Sequence, residues 1–259
     1  MKTFVFDLDD TLLNRNKKIG FKTQTELIRQ IECGSDIVLA TSRPIRAVRR
    51  FVDAELLKSI TVISLNGAIC HHPNGQVRRY SHIGTKAKEL IENEDLRNRV
   101  HFSVELEGEH FASNATYTDQ ELDEVHSASR EFVLPLESLD FHKVSKVAID
   151  GLERDISAYQ NSIIHLGLKP ILCMDNTFIN VVDTNVDKSS TLAGILNEKG
   201  IDSKDVFVFG DDIPDIEMMK FAGVSIAMGN AKEAVKAVAD YIIDDCDEDA
   251  IGDFIRQQC

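Results

Sequence analysis

"FVFDLDDTLLN", from Phe4 to Asn14, runs an apolar strand-like segment directly into three carboxylates, Asp7, Asp9 and Asp10. Side chains of an extended chain alternate with a period of two, so Asp7 and Asp9 are predicted to project from the same side of the strand end. Like charges held that close repel one another unless a cation neutralises them or one keeps its proton.

Outward from this stretch the chain alternates between strand and helix. "KTQTELIRQIECG" has apolar residues at helical spacing and a glycine stop, and it leads into the continuous apolar run "DIVLA". "RPIRAVRRFVDAELL" reads as one helix with Pro44 in its first turn, followed by the strand "ITVISL". The C-terminal part repeats the habit: "SSTLAGILNEKG", "DIEMMKFAG" and "AKEAVKAVA" are helical, and "DVFVFG" and "VSIAMG" are strands. Such alternation predicts a parallel sheet flanked by helices.

The middle of the chain differs in texture. From Ile83 to Thr184 it is richer in His, Glu and Asn, and "VHFSVEL", "EHFASN", "KVSKVAID" and "TFINVVD" alternate between apolar and polar residues. These suit an antiparallel sheet with one face covered by the helices "DQELDEVHSASREF" and "RDISAYQNSIIHLG". The predicted fold class is α/β: a Rossmann-like parallel-sheet core, residues 1–82 and 185–259, with an inserted α+β second domain, residues 83–184. Asn66 and Gly67 are predicted to form a tight turn leading outward, with Tyr80 to Gly84 and Thr184 to Val186 as linkers.

Composition narrows the function. The 259 residues are 43% hydrophobic, enough for a substantial core, and the net charge of -14 repels a phosphate backbone, which argues against nucleic acid. No run approaches the roughly 18 apolar residues of a membrane span, and Phe4 onward is not a signal-peptide core, so a cytoplasmic protein without a membrane partner is expected. Cys33, Cys70, Cys173, Cys246 and Cys259 are odd in number and lack CxxC spacing, which suggests neither a disulfide framework nor a zinc site. His71 and His72 lack further ligands at regular spacing, and "DDCDEDA" lacks the glycine and terminal glutamate of a calcium loop.

In open parallel sheets, ligands gather beyond the carboxyl ends of the strands. Those ends carry Asp7, Asp9 and Thr11; Thr41, Ser42 and Arg43 in "ATSRP"; and Asp211, Asp212 and Asp215 in "GDDIPD", with Lys188 opening a helix between the last two strands. Clustered oxygen ligands favour a hard cation such as Mg2+, and carboxylates, hydroxyls and an ammonium around a cation suit a phosphoryl group.

"FDLDDTL", "LATSRP", Lys188 and "FGDDIPDIEMM" resemble, in order and spacing, the four motifs of the haloacid dehalogenase (HAD) superfamily. "ISLNGA" and "GVSIAMGNAKEAVKAVADYI", with the inserted middle, resemble more narrowly the Cof-type capped sugar-phosphate phosphatases. The resemblance implies a Mg2+-dependent phosphatase acting on a small phosphorylated metabolite. Asp7 would be the nucleophile, forming an aspartyl-phosphate, and Asp9 the general acid and base, protonated when Asp7 is charged. Mg2+ would be held by the Asp7 carboxylate, the Asp9 backbone carbonyl and Asp211. Thr41 and Lys188, with backbone donors at Leu8 and Ser42, would bind the phosphoryl oxygens, and Asp215 would orient Lys188 or the metal's water shell. A phosphomutase and a catalytically weak phosphate-sugar sensor are the alternatives, whereas a dehalogenase would not need Asp9.

Two departures from the family pattern carry consequences. Pro214 stands where an Asn usually donates to phosphate, and losing such a donor can cost about 3 kcal/mol in the transition state. Asp10, Ser42 and Ser189 replace glycines, so a positive φ is in question at each. Arg46, Arg49 and Arg50 recur on one helical face and read as a solvated surface, leaving Arg43 as the one arginine near the site. Glu105, His110 and His142 are candidate readers of the leaving group, with no motif to single them out.

Overall fold

The computed structural model describes residues 2–258; Cys259 lies outside them. Five strands precede the insertion: β1 (Thr3–Phe6), β2 (Asp36–Ala40), β3 (Thr61–Ser64), β4 (Ile69–His71) and β5 (Val77–Arg79). The middle contributes β6 (His101–Leu106), β7 (His110–Ser113), β8 (Val144–Asp150), β9 (Leu168–Cys173) and β10 (Phe178–Asp183). The C-terminal part adds β11 (Val206–Gly210), β12 (Val224–Ala227) and β13 (Tyr241–Ile242).

These pair into two sheets, ordered β13-β12-β11-β1-β2-β3-β4-β5 and β7-β6-β8-β10-β9. The first is parallel from β13 to β3, with β4 and β5 added antiparallel. Its central strand, β1, is buried at every position, as expected where helices cover both faces. β2 and β11 flank it, with Phe6 opposite both Leu39 and Phe209, so the ends of all three strands open on one place. The helix predicted over "RPIRAVRRFVDAELL" is broken: it spans Ile45–Phe51, and a second turn, Ala54–Leu57, starts where the Asp53 carboxylate accepts from the Glu55 N–H at 2.8 Å. No helix of the described residues is long and apolar enough to cross a membrane.

The second sheet is wholly antiparallel. One face buries Phe102, Val104, Val147, Ile149, Ile179 and Val181 against the helices Gly84–Glu92, Glu94–Arg99 and Tyr159–His165. Its other face presents Ser103, Glu105, Lys146 and Asn180 to the strand ends of the first sheet. The helix Asp119–His126, predicted to join the covering layer, packs elsewhere. Its Leu122 sits on Phe111, which is paired with Glu105 and therefore belongs to the polar face. The helices between Gly84 and Arg99, which the sequence reading did not single out, take its place.

The turn at Asn66 and Gly67 is tight, with positive φ at Leu65, Asn66 and Gly67, but it does not lead outward. It returns the chain as β4, antiparallel to β3 in the same sheet. Gly67 is required by contact as well as by φ, since a Cβ there would stand 2.3 Å from the Asp187 carbonyl oxygen. Thr191 Oγ1 donates to the Gly67 carbonyl at 2.8 Å, which seats the start of the helix Lys188–Lys199 against this turn. The two crossings between the sheets lie side by side, with the Asp183 N–H donating to Ser81 Oγ at 3.2 Å.

Candidate active site

The helix Lys188–Lys199 is fixed at its first turn by Asp187, whose carboxylate accepts from the Ser190 N–H at 2.7 Å. This delivers the buried Lys188 ammonium to two carboxylates. Its Nζ donates to Asp7 Oδ1 at 2.5 Å and to Asp215 Oδ1 at 2.8 Å. Asp215 Oδ2 in turn accepts from the Asp211 and Asp212 N–H groups, each at 3.2 Å. Gly210 permits this approach, because a Cβ there would stand 2.7 Å from that of Asp215. Asp211 is held from β1's side by Thr11, whose Oγ1 donates to Oδ1 at 2.6 Å.

Oxygens of Asp7, Asp211 and Asp215 all lie within 4.8 Å of one another, with Lys188 as the ammonium among them. Burial pushes the Asp7 carboxyl well above its ordinary range; Lys188 opposes this, and Asp215 and Asp211 add to it. Burial likewise pushes Asp211 up to about 7, against the Thr11 hydrogen bond and with Asp215 and Asp212 reinforcing it. Lys188 would be lowered by burial, but Asp215 and Asp7 together hold its pKa above the ordinary value. Two buried carboxylates, Asp7 and Asp215, and the half-buried Asp211 facing one ammonium leave negative charge uncompensated, and the donors are all oxygen. That set fits a hard divalent cation such as Mg2+. Asp215 has both oxygens engaged, so Asp7 and Asp211 are the carboxylates free to face one.

Asp9 departs from the expectation. It does not crowd Asp7, because β1 ends at Phe6 and the chain turns, with Asp10 at φ +56°, so the period of two stops applying. The Asp9 carboxylate instead accepts from Arg43 Nε at 2.6 Å, Arg43 Nη2 at 2.8 Å and Lys17 Nζ at 2.9 Å. Burial would raise its pKa, but these bonds outweigh it and hold the carboxyl below the usual range. The crowding that the opening stretch announces is therefore real but has different partners: Asp211 and Asp215.

Of the substituted glycines, Asp10 adopts the left-handed conformation, while Ser42 and Ser189 do not. Pro214 sits comfortably in the turn Ile213–Asp215, whose start Asp212 caps. Asp7, Asp9, Ser42, Lys188, Asp211, Pro214 and Asp215 all line one cavity of about 980 Å³ between the two sheets. Leu8 and Thr41 are fully buried beneath that wall, and Thr41 Oγ1 accepts from the Arg43 N–H at 3.1 Å.

Of the arginines expected on a solvated face, Arg49 and Arg50 are exposed, although each has an ion-pair partner, and Arg46 is buried. Arg46 forms a buried two-bond pair with Glu105, at 2.7 and 2.8 Å, Arg49 bonds Glu109 at 2.6 Å, and Arg50 pairs with Asp123. All three acidic partners belong to the second sheet's unit, which no local sequence signal connects to this helix. Glu105 is thus occupied, and neither His110 nor His142 lines the cavity; His101, His126 and Lys146 do.

The model of the haloacid dehalogenase-like hydrolases matches residues 4–255. The chain belongs to that family. Within it, a 5-amino-6-(5-phospho-D-ribitylamino)uracil phosphatase of Bacillus subtilis, YcsE, is 27% identical over 99% of this chain and 95% of its own. A second Bacillus subtilis phosphatase of the same description, YitU, is 24% identical over 97% and 95%. In fold, the HAD subclass IIB sugar phosphatase BT4131 superposes with a TM-score of 0.79 at 21% identity, over 100% of this chain and 99% of its own. The reading of this HAD hydrolase as an enzyme acting on phosphoric monoesters stands with the family.

Proposed function

We propose that this HAD hydrolase is a Mg2+-dependent phosphatase of small phosphomonoesters, sugar phosphates among them, working through a phosphorylated Asp7 with residues 83–184 as its cap. The observation that carries the reading is Lys188 joined at 2.5 Å to a buried Asp7 that stands against Asp211. In the first half-reaction an Asp7 oxygen bonds to phosphorus as the ester P–O bond breaks, and the leaving oxygen takes a proton from Asp9. In the second, water attacks phosphorus, Asp9 accepts its proton and the Asp7–phosphorus bond breaks. The carboxylates of Asp7 and Asp211 and the Asp9 carbonyl would hold Mg2+, which supplies charge neutralisation for the attacking and phosphoryl oxygens. Lys188, steered by Asp215, stabilises charge on the phosphoryl group, as do Thr41 and the Leu8 and Ser42 N–H groups. Arg43 and Lys17 keep Asp9 ionised, which suits the base half of the cycle; the acid half requires substrate to draw Arg43 away.

A cavity of about 980 Å³ is far larger than a phosphate and accommodates a leaving group of the size named for the Bacillus subtilis relatives. Pro214, without an N–H on the cavity wall, favours one second reading, a slow enzyme acting as a phosphate-ester sensor. Release of p-nitrophenol from p-nitrophenyl phosphate with Mg2+, then with EDTA, then by Asp7→Asn, separates the two. Metal-dependent turnover lost in Asp7→Asn supports the phosphatase, and ester binding without turnover supports the sensor.

A further inference from the structure

Among the described residues, the cations lining the cavity are Lys17, Arg43, Arg46, Lys146 and Lys188, and carboxylates outnumber them by nine to five. Four of the five are paired with cavity carboxylates: Lys17 and Arg43 with Asp9, Arg46 with Glu105, Lys188 with Asp7 and Asp215. Lys146 is the exception. It is 5% exposed, points from the polar face of β8 and has no carboxylate within ion-pair distance. Its Nζ donates to the Ser42 carbonyl at 2.9 Å and to Asn180 Oδ1 at 2.8 Å. An ammonium has three N–H donors, so one remains for the cavity. A buried charge without an ion pair is costly to keep, and this one hangs from the second sheet onto the residue whose backbone borders the phosphoryl site.

The surroundings restrict what the third donor can meet. A second anion on the ligand would enter a cavity with a carboxylate excess, and Asp150 and Glu153 also face that space. A neutral oxygen satisfies the donor without that repulsion. We infer that Lys146, positioned by Asn180, is a specificity-determining residue that binds a hydroxyl oxygen of the leaving group close to the ester bond, and that the preferred substrates are phosphate esters of neutral polyols. This rests on the phosphatase reading above and adds to it the residue and the charge of the leaving group.

The test is steady-state kinetics with Mg2+ on three kinds of probe. Glycerol 3-phosphate, ribitol 5-phosphate and sorbitol 6-phosphate are neutral polyol esters, 6-phosphogluconate carries a carboxylate, and p-nitrophenyl phosphate has no hydroxyl beside the ester. The wild type is expected to favour at least one polyol ester over 6-phosphogluconate by tenfold or more in kcat/KM. Lys146→Met should lower the ratio of polyol ester to p-nitrophenyl phosphate by about 10- to 100-fold, the loss of a hydrogen bond from a charged donor, mostly through KM. Asn180→Ala should move that ratio the same way by less, and it carries the test if Lys146→Met does not fold. An equal fall on all probes would make Lys146 a structural residue and overturn the inference. A wild type that hydrolyses only p-nitrophenyl phosphate overturns it while leaving the phosphatase standing; one that hydrolyses none of the probes removes the phosphatase reading itself.

Discussion

Glu105→Gln should open the space between the two sheets. Arg46 and Glu105 are joined by two bonds, 2.7 and 2.8 Å long, with side chains 3% and 5% exposed. Arg46 also donates to the His126 and Glu109 carbonyls, at 3.2 and 3.3 Å, and its guanidinium lies 4.8 Å from the Phe111 ring centroid. Every one of these partners belongs to the second sheet's unit, while Arg46 itself belongs to the helix Ile45–Phe51 of the first. Removing one member of a buried pair costs about 3–5 kcal/mol, because the other charge is left without compensation. Here the chain has an alternative to unfolding: separation of the sheets returns Arg46 to water. A shift of about 3 kcal/mol changes that equilibrium by more than 100-fold.

The expected result is therefore a larger radius of gyration by small-angle scattering, kcat/KM on phosphomonoesters lower by one to two orders of magnitude, and little change in Tm. Arg46→Met with Glu105→Leu should recover the compact form, since an apolar pair of similar volume leaves no buried charge. Burial acts to raise the Glu105 pKa, but Arg46 more than offsets it, so the carboxyl titrates below its ordinary value. Its stabilising effect is thus present above the ordinary glutamate range and is lost only as pH falls below it, and the wild type should remain compact at pH 5. Unchanged scattering and kcat/KM in Glu105→Gln, with the whole cost appearing as lower Tm, would refute the reasoning and make the pair part of a rigid fold.

Three further outcomes follow from the charges. Asp7 and Asp211 have folded pKa values above their unfolded ones, so the metal-free chain should lose stability as pH rises from about 4 to about 7; Mg2+ should then raise Tm more at pH 7.5 than at pH 5 by scanning fluorimetry, and Asp211→Asn should erase that difference. Asp7→Asn should lower kcat by at least about a thousandfold if Asp7 is the nucleophile proposed above, and acid-quench phosphate trapping should then find no phosphoenzyme. Burial lowers Lys146 to about 8, with Glu105 and Cys173 drawing it up and Arg46 and Arg43 pressing it down. The folded chain binds fewer protons than the unfolded one between about pH 8 and the ordinary lysine value, so wild-type stability relative to Lys146→Met should rise by about 3 kcal/mol across that window in urea melts; a flat difference would contradict it.

What the sequence made legible follows the range of the forces involved. The parallel strands and their ends could be read because apolar runs and helical periods are local, and the ends of β1, β2 and β11 then had to converge on Asp7, Ser42 and Asp211. The placing of Asp9 beside Asp7 was misjudged because β1 ends at Phe6, and with it the extended geometry on which the period of two depends. Lys17 and Arg43 were attached to Asp9 by a turn and by a neighbouring strand, and only the proximity of "TSRP" to Thr41 hinted at the second. The burial of Arg46 could not be told from the exposure of Arg49 and Arg50 on the same helix, since a charged stripe looks the same whether water or a partner surface covers it. Their partners lie about 60 to 70 residues away along the chain.

The way the two sheets are joined bears on how a substrate enters. Near the crossings the contact is apolar: Leu65, Ala68 and Ile69 from the first unit meet Val182, with Ile171 against them. Away from this cluster the contact is ionic, through Arg46, Arg49 and Arg50 and the Lys146 bond to the Ser42 carbonyl. Apolar contacts are insensitive to salt and lose their stabilisation when water enters, so they favour staying closed around the crossings. Exposed ion pairs cost little to exchange for water and weaken as salt is added, whereas the buried Arg46 pair is costly only when broken singly. Ion pairs also lie beside the crossings, Lys169 with Asp187 and Arg79 with Glu107, so the apolar cluster is the part of the joint that resists separation while the ionic part yields more readily. For the phosphatase proposed above, such a division would let the cavity admit an ester and then exclude water from Asp7.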